Sequence, residues 1–193
     1  MNDIVLYLVV PCYNEEEVLP VTIKRLAEML DNLVSKSEVS KESRIVFVDD
    51  GSTDNTWSII ESAYSTYTGV RGIKLAANVG HQNALMAGLT EVNGLCDCCI
   101  SIDADLQDDI TVIPQFLNEY RNGCDVVYGV RKRRESDTAF KRGTAKAFYK
   151  LMRLLGADII ENHADYRLLR RRALNALAEF SEVNLFLRGM VRL

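Results

Sequence analysis

The stretch Ser101-Ile102-Asp103-Ala104-Asp105-Leu106-Gln107-Asp108-Asp109 decides how this chain is read. It continues an apolar segment, Cys98 to Ile102, that reads as a buried strand. Two aspartates one residue apart at the end of such a strand repel each other unless a cation lies between them. A hard divalent ion, Mg²⁺ or Mn²⁺, prefers oxygen ligands and often bridges carboxylates to phosphate. The segment therefore points to a nucleotide-bearing ligand. Its bland counterpart is a solvated acidic loop, and the rest of the chain decides between the two.

Upstream, Ile4 to Val10 is a β-branched apolar run that Pro11 is expected to end. Glu15 to Leu33 has helical apolar spacing, Ile45 to Val48 is a second strand, and Ser52 or Thr53 is placed to cap a helix running to about Tyr67. Gly72 to Ala76 reads as a strand, Gln82 to Val92 as a helix, Ile113 to Arg121 as a helix and Asp125 to Tyr128 as a fifth strand. The alternation predicts an α/β fold with a mainly parallel central sheet flanked by helices. In such sheets ligands bind at the carboxyl ends of the strands. The polar clusters fall at those ends: Asn14 and Glu15, Asp49 and Asp50, Asn78 and Gly80, Asp103 and Asp105. Core packing has no use for carboxylates at several strand ends, whereas a shared ligand site does.

The bulk numbers fit one domain spanning 1–193. The 193 residues are 48% hydrophobic and 26% charged, with a net charge of −4 that argues against a general nucleic-acid binder. Charge is uneven: residues 1–127 carry 8 Lys/Arg and 20 Asp/Glu, and residues 128–193 carry 15 and 7. A basic C-terminal third (130–193) suggests that this third faces an anionic acceptor or membrane surface. Five cysteines, mostly in apolar stretches, read as free thiols in a reducing compartment. Cys96-Asp97-Cys98-Cys99 lacks a second pair at zinc spacing. Met1 to Asp3 carry no basic n-region, and no run reaches the ~20 apolar residues of a membrane span.

Arg131-Lys132-Arg133-Arg134 is a basic loop, and Asp137 to about Leu155 reads as an amphipathic helix with Arg142, Lys146, Lys150 and Arg153 on one side. It is either an ordinary surface helix or a face for anionic lipid. Tyr13 is placed to stack on a base, Glu15 to accept base or ribose hydrogens, and Asp49 to accept from the nucleoside. His81, at a helix start, and His163 read as structural, and Trp57 as core.

Four motifs then occur in order: Pro11-x-Tyr13-Asn14-Glu15; Val48-Asp49-Asp50-Gly51-Ser52-Thr53-Asp54; Asn78-x-Gly80 with Ala84 and Gly88; and Asp103-Ala104-Asp105-Leu106-Gln107. Together they resemble the inverting family-2 glycosyltransferases with the GT-A fold. Downstream, Asp125 to Arg131, Phe148-Tyr149 and Ala164-Asp165-Tyr166-Arg167-Leu168-Leu169-Arg170-Arg171 resemble the branch that acts on polyprenyl phosphates, which includes dolichyl-phosphate mannose synthases and bactoprenol glucosyltransferases. Asp108-Asp109 departs from that pattern, where a proline often stands. Many bacterial members continue into membrane helices, and this chain ends about where those would begin.

The resemblance implies a single inverting displacement on a nucleotide-diphosphate sugar; uridine against guanosine is left open, with the bacterial look of the branch favouring UDP. Pro11, Tyr13, Asn14, Glu15, Asp49, Asp50, Asn78, Gly80, Asp103 and Ala104 are the implied nucleotide-binding set. Asp103, Asp105 and Gln107 are the implied holders of Mg²⁺ or Mn²⁺, with Asp105 central to catalysis. Arg131 and Arg167 are candidates to clasp an acceptor phosphate. Asp165 is either the catalytic carboxylate on the acceptor side or the orienter of an arginine. The implied partners are the donor, a polyprenyl phosphate and an anionic membrane surface, with no nucleic acid. The implied place is cytoplasmic, peripheral at the inner face of the cell membrane, in envelope biosynthesis. The sugar and a homo-oligomeric state are left open. Two other readings stand beside this one: transfer to a glycan hydroxyl in surface polysaccharide assembly, and an idle nucleotide-sugar-binding subunit. A nucleotidyltransferase is disfavoured because Pro11 to Glu17 has no glycine.

Overall fold

The computed structural model describes residues 3–130 and 163–179. Its six strands form one sheet in the order β3-β2-β1-β4-β6-β5. They are β1 (Leu6–Cys12), β2 (Arg44–Asp49), β3 (Val70–Lys74), β4 (Cys98–Ser101), β5 (Val126–Val130) and β6 (His163–Arg170). The helices among the described residues are α1 (Leu19–Ser35), α2 (Thr56–Thr66), α3 (His81–Val92), α4 (Ile113–Arg121) and α5 (Arg171–Ala178). Strands β1 to β4 pair in parallel, and β6 inserts antiparallel between β4 and β5.

Alternation along β1 gives the sheet two buried faces. Leu6, Leu8 and Val10 join the core under α1, α2 and α4. Val9 joins the second core with Val46, Val48 and the apolar residues of α3 and α5. The second face is closely packed at Gly88, where an added Cβ would lie 2.5 Å from Val9 Cγ1 and 2.8 Å from Val48 Cγ2. Trp57 is half-buried against the first core, with the Lys74 ammonium 5.3 Å from its ring centroid.

Pro11 does not end β1; it lies within it, in register with Val48. Its effect falls on the other neighbour. The Ile102 N–H donates to the Val9 carbonyl. A parallel ladder would next run from the N–H of residue 11 to the Ile102 carbonyl, and proline has no N–H to give. The pairing of β1 with β4 stops there, and the two strands part where Asp103 begins. This is also where strand order changes direction, which is the place for a ligand crevice.

Other boundaries shift for local reasons. Helix α1 starts at Leu19, with Pro20 in its first turn. Ser52 and Thr53 do not cap α2, because both are bonded to Asn14; the Asp54 carboxylate accepts from Thr56 N at 2.9 Å instead. Strand β6 carries no apolar alternation in the sequence; its alternate positions Asp165 and Arg167 are charged yet buried.

The basic third divides as well. Arg170, Arg171 and Arg172 lie at the end of the sheet away from the crevice. Arg171 pairs with Asp97 at 3.3 Å, Arg172 pairs with Asp125, and Arg170 lies 4.0 Å over the Tyr120 ring. Each of these arginines makes a contact within the chain. Arg131 to Arg134, the 137–155 helix and the His163 side chain lie outside the described residues. No helix among the described residues is long and apolar enough to cross a membrane. The five cysteines are free, and all but the half-buried Cys124 are buried.

Candidate active site

The crevice opens at the carboxyl ends of β1, β2 and β4. Its first wall is built by two adjacent aspartates with different surroundings. Asp50 is buried, and its carboxylate accepts from Val79 N at 2.7 Å and Gly80 N at 3.0 Å. Both oxygens are thus engaged in fixing the turn that leads into α3. Asp49 is fully buried; Oδ1 accepts from Ser52 N at 3.2 Å, and Oδ2 has no partner among the described residues. A buried carboxylate oxygen left unbonded costs free energy that an N–H or O–H brought to it would recover. Of the pair, Asp49 has an unbonded acceptor and Asp50 is a brace.

Gly51 explains why the wall is tight. Its φ is +67°, and a Cβ there would lie 2.6 Å from Asn78 N and 2.7 Å from the Ala77 carbonyl carbon. The β2–α2 and β3–α3 loops therefore touch backbone to backbone. The β1–α1 loop joins them through side chains. Asn14, at φ +54°, accepts from Thr53 N at 2.9 Å, and Glu15 N donates to Thr56 Oγ1 at 2.8 Å. Asn14 thus braces the loop, while Tyr13 stands exposed at the rim. Pro11 is buried in β1, and Asn78 is exposed, with its Oδ1 accepting from Gly80 N at 3.2 Å.

The second wall is the segment after β4. Thr22 on α1 holds it by donating to the Ala104 carbonyl at 2.6 Å. Asp105 and Gln107 are exposed, and Gln107 N donates to Asp105 Oδ1 at 3.1 Å. Burial raises the Asp103 carboxyl above its ordinary range, His81 pulls it back, and Asp165, Asp105 and Asp108 push it up. Burial raises Glu15 too, reinforced by Asp105, Asp54 and Asp103. Several carboxylates therefore converge on one spot.

That convergence is the test of fit for a cation. No group of three His, Cys, Asp or Glu side chains among the described residues could hold a metal ion by itself. Two carboxylates with hard oxygens suit an ion that takes its remaining ligands from water and substrate phosphates, as Mg²⁺ does. The donor set fits, and Asp103, Asp105 and Gln107 are the residues that would hold the ion.

The third wall comes from β6, and sequence reasoning did not place it. Asp165 and Arg167 form an ion pair whose side chains are 5% and 2% exposed. The Ser101 hydroxyl donates to the Asp165 carbonyl, and Gln82 Nε2 donates to Asp165 Oδ2 at 3.1 Å. Arg167 is buried and its guanidinium lies on the Asp165 carboxylate. His81, given a structural reading from sequence, stands with Nε2 3.6 Å from both Asp103 Oδ1 and Asp165 Oδ2. Its one sequence signal is its place directly after Gly80 at a helix start facing a strand end. Arg131 lies outside the described residues.

The sequence matches the family described as "Glycosyl transferase family 2" over residues 7–178. This chain belongs to glycosyl transferase family 2. The chain is 53% identical over 187 residues to the uncharacterised glycosyltransferase YkoT of Bacillus subtilis (strain 168), covering 97% of this chain and 56% of that protein. It is 39% identical to the bactoprenol glucosyl transferase of Shigella phage SfV, covering 95% of this chain and 58% of the relative. The chain thus spans little more than half the length of these relatives. Among solved structures it resembles glucosyl-3-phosphoglycerate synthase from Mycobacterium tuberculosis, in complex with Mn²⁺, UDP and glucosyl-3-phosphoglycerate. The TM-score is 0.59 at 20% identity, over 90% of this chain and 59% of that one. That likeness confirms the GT-A fold of the glycosyltransferase.

Proposed function

We propose that this glycosyltransferase moves a sugar, with inversion, from a UDP-linked donor to a polyprenyl phosphate. The donor half rests on one observation: a buried Asp49 with an unbonded oxygen ends β2, and the Asp103 and Asp105 carboxylates follow β4, at the same end of the sheet on the other side of β1. That pairing suits a molecule with N–H groups at one end and a diphosphate at the other. Asp49 accepts from the nucleoside, and Tyr13 at the rim stacks on the base. Asp103, Asp105 and Gln107 hold a divalent ion. The ion supplies charge stabilisation for the diphosphate as it leaves.

The acceptor half rests on Asp165. Its carboxylate oxygens already accept from Arg167 and Gln82. That state suits a fixed post better than a general base. A phosphomonoester, with its second pKa at ~6, is largely ionised at neutral pH and needs no strong base. A glycan hydroxyl would need one. The name of the phage relative, a bactoprenol glucosyl transferase, points the same way. A lipid acceptor would place the reaction at the inner membrane surface, where the basic residues Arg131 to Arg134 suit anionic headgroups.

The test is nucleotide release by the full chain with Mg²⁺ or Mn²⁺, a panel of UDP- and GDP-sugars, and undecaprenyl phosphate in detergent. Release that requires both metal and lipid phosphate supports the reading and names the sugar. In that case Asp165→Asn weakens turnover without abolishing it. Metal-dependent hydrolysis indifferent to the lipid, with abolition by Asp165→Asn on a glycan acceptor, selects the hydroxyl reading instead.

A further inference from the structure

Asp165 is a fixed post. Its backbone carbonyl takes the Ser101 hydroxyl, its carboxylate is held by Arg167 and by Gln82 at 3.1 Å, and its side chain is 5% exposed. Asp103 sits in the segment after β4, with a side chain 36% exposed. Between them stands His81, its Nε2 3.6 Å from an oxygen of each. Neither distance is a direct hydrogen bond, and both are within ion-pair reach. One imidazole nitrogen therefore faces two carboxylates that the mechanism assigns to different substrates.

The placement of His81 is itself fixed. It follows Gly80, whose N–H is held by Asp50 and whose φ is +87°. It opens a helix seated on Val9 and Val48 at Gly88. Without the imidazole, the Asp103 carboxylate would lose the cation-capable group between it and the like-charged Asp165. Asp103 is the more exposed of the two and the one able to yield. Burial, Asp165, Asp105 and Asp108 all raise its carboxyl, and His81 pulls against them.

We propose that His81 is a positioning residue whose imidazole spans Asp103 and Asp165 and holds the donor-side carboxylate where cation–diphosphate binding needs it. This inference rests on the donor reading under Proposed function. It assigns His81 no proton transfer and no contact with reacting atoms. Groups that orient a metal-binding carboxylate typically change metal affinity 10–100-fold when removed.

The experiment is calorimetric titration of the full chain with UDP, with and without Mn²⁺, and with uridine alone. The variants are His81→Ala, His81→Gln, His81→Asn and Asp103→Ala. His81→Ala is expected to keep uridine affinity and its unfolding midpoint while losing roughly tenfold of the Mn²⁺-dependent UDP affinity. His81→Gln, which keeps a donor of similar reach, is expected to restore most of the loss. His81→Asn, whose amide is shorter, is not, and the Gln–Asn contrast serves alone if His81→Ala does not fold. Wild-type Mn²⁺-dependent affinity in His81→Ala overturns the proposal. So does a parallel fall in uridine affinity and unfolding midpoint, which marks a merely structural role. Unchanged Mn²⁺-dependence in Asp103→Ala removes the cation reading itself, and this proposal with it.

Discussion

Replacing Arg167 by Met tests whether that arginine is a buried brace or a ligand-clasping group. Arg167 and Asp165 lie two residues apart on one face of β6, with side chains 2% and 5% exposed. Removing one partner of a buried pair costs about 3–5 kcal/mol, because the other charge is left uncompensated. Gln82 still donates to Asp165 Oδ2 at 3.1 Å, which favours the lower end of that range. About 3 kcal/mol, at ~2–4 °C per kcal/mol for a domain of this size, lowers Tm by roughly 6–12 °C. Adding Asp165→Asn removes the stranded charge, so the double variant recovers about 1–2 kcal/mol relative to simple addition. Thermal and urea unfolding of wild type, R167M, D165N and the double variant supply the cycle. The reasoning is refuted if R167M lies within ~1 kcal/mol of wild type, or if the two single effects add. An arginine exposed in the crevice would show the reverse: lost turnover with little change in Tm.

Gly51→Ala combines a left-handed backbone with a Cβ 2.6 Å from Asn78 N, so strain of about 1–2 kcal/mol and overpacking of about 1–3 kcal/mol should appear in urea unfolding. Uridine affinity should fall with it, because the β2–α2 loop carries Asp49; a variant as stable as wild type would contradict the backbone contact. Glu15, raised by burial and by Asp105, Asp54 and Asp103, binds its proton more tightly in the folded state. Stability from this group is therefore lost as pH rises from the ordinary glutamate pKa through the raised one, and Glu15→Gln should flatten that slope. After allowance for solvent screening the gain at pH 7 should stay within about 0.5 kcal/mol, and a steeper slope in Glu15→Gln would reverse the sign argued here. Burial pushes the Cys96 thiol up to about 12, and Cys12, Cys98 and Cys99 are raised by burial too. Thiol labelling at pH 8 should reach Cys124 alone in the folded chain; rapid modification of Cys98 or Cys99 would show that the sheet opens there. Neutralising Arg131 to Arg134 should lower co-sedimentation with anionic vesicles, and unchanged partition would leave the loop as ordinary surface.

Much of the site was legible because its residues cluster at strand ends in sequence. Asp49, Asp103 and Asp105 each follow a short apolar run, and a strand delivers the residue after it to the sheet's edge. The less legible part arose from residues that act through a neighbour. Asn14 and Asp50 look like ligand contacts in the sequence; in the structure the Asn14 side-chain oxygen and both Asp50 oxygens accept from backbone N–H groups of other loops. Strand β6 hid because a buried ion pair occupies positions where an apolar alternation was the only available signal. His81 hid because its partners lie beyond any local window, just after β4 and on β6.

The sequence by itself determined the α/β class, the strand ends that carry carboxylates and the family motifs, since periodicity and turn chemistry are local. Tertiary structure alone decided which aspartate keeps an unbonded oxygen, that Arg167 is buried on Asp165, and that Pro11 parts β1 from β4. It also decided that one imidazole stands 3.6 Å from both Asp103 and Asp165. These outcomes depend on which backbone groups and charges arrive at a position from distant segments, and a one-dimensional pattern does not record that competition for partners.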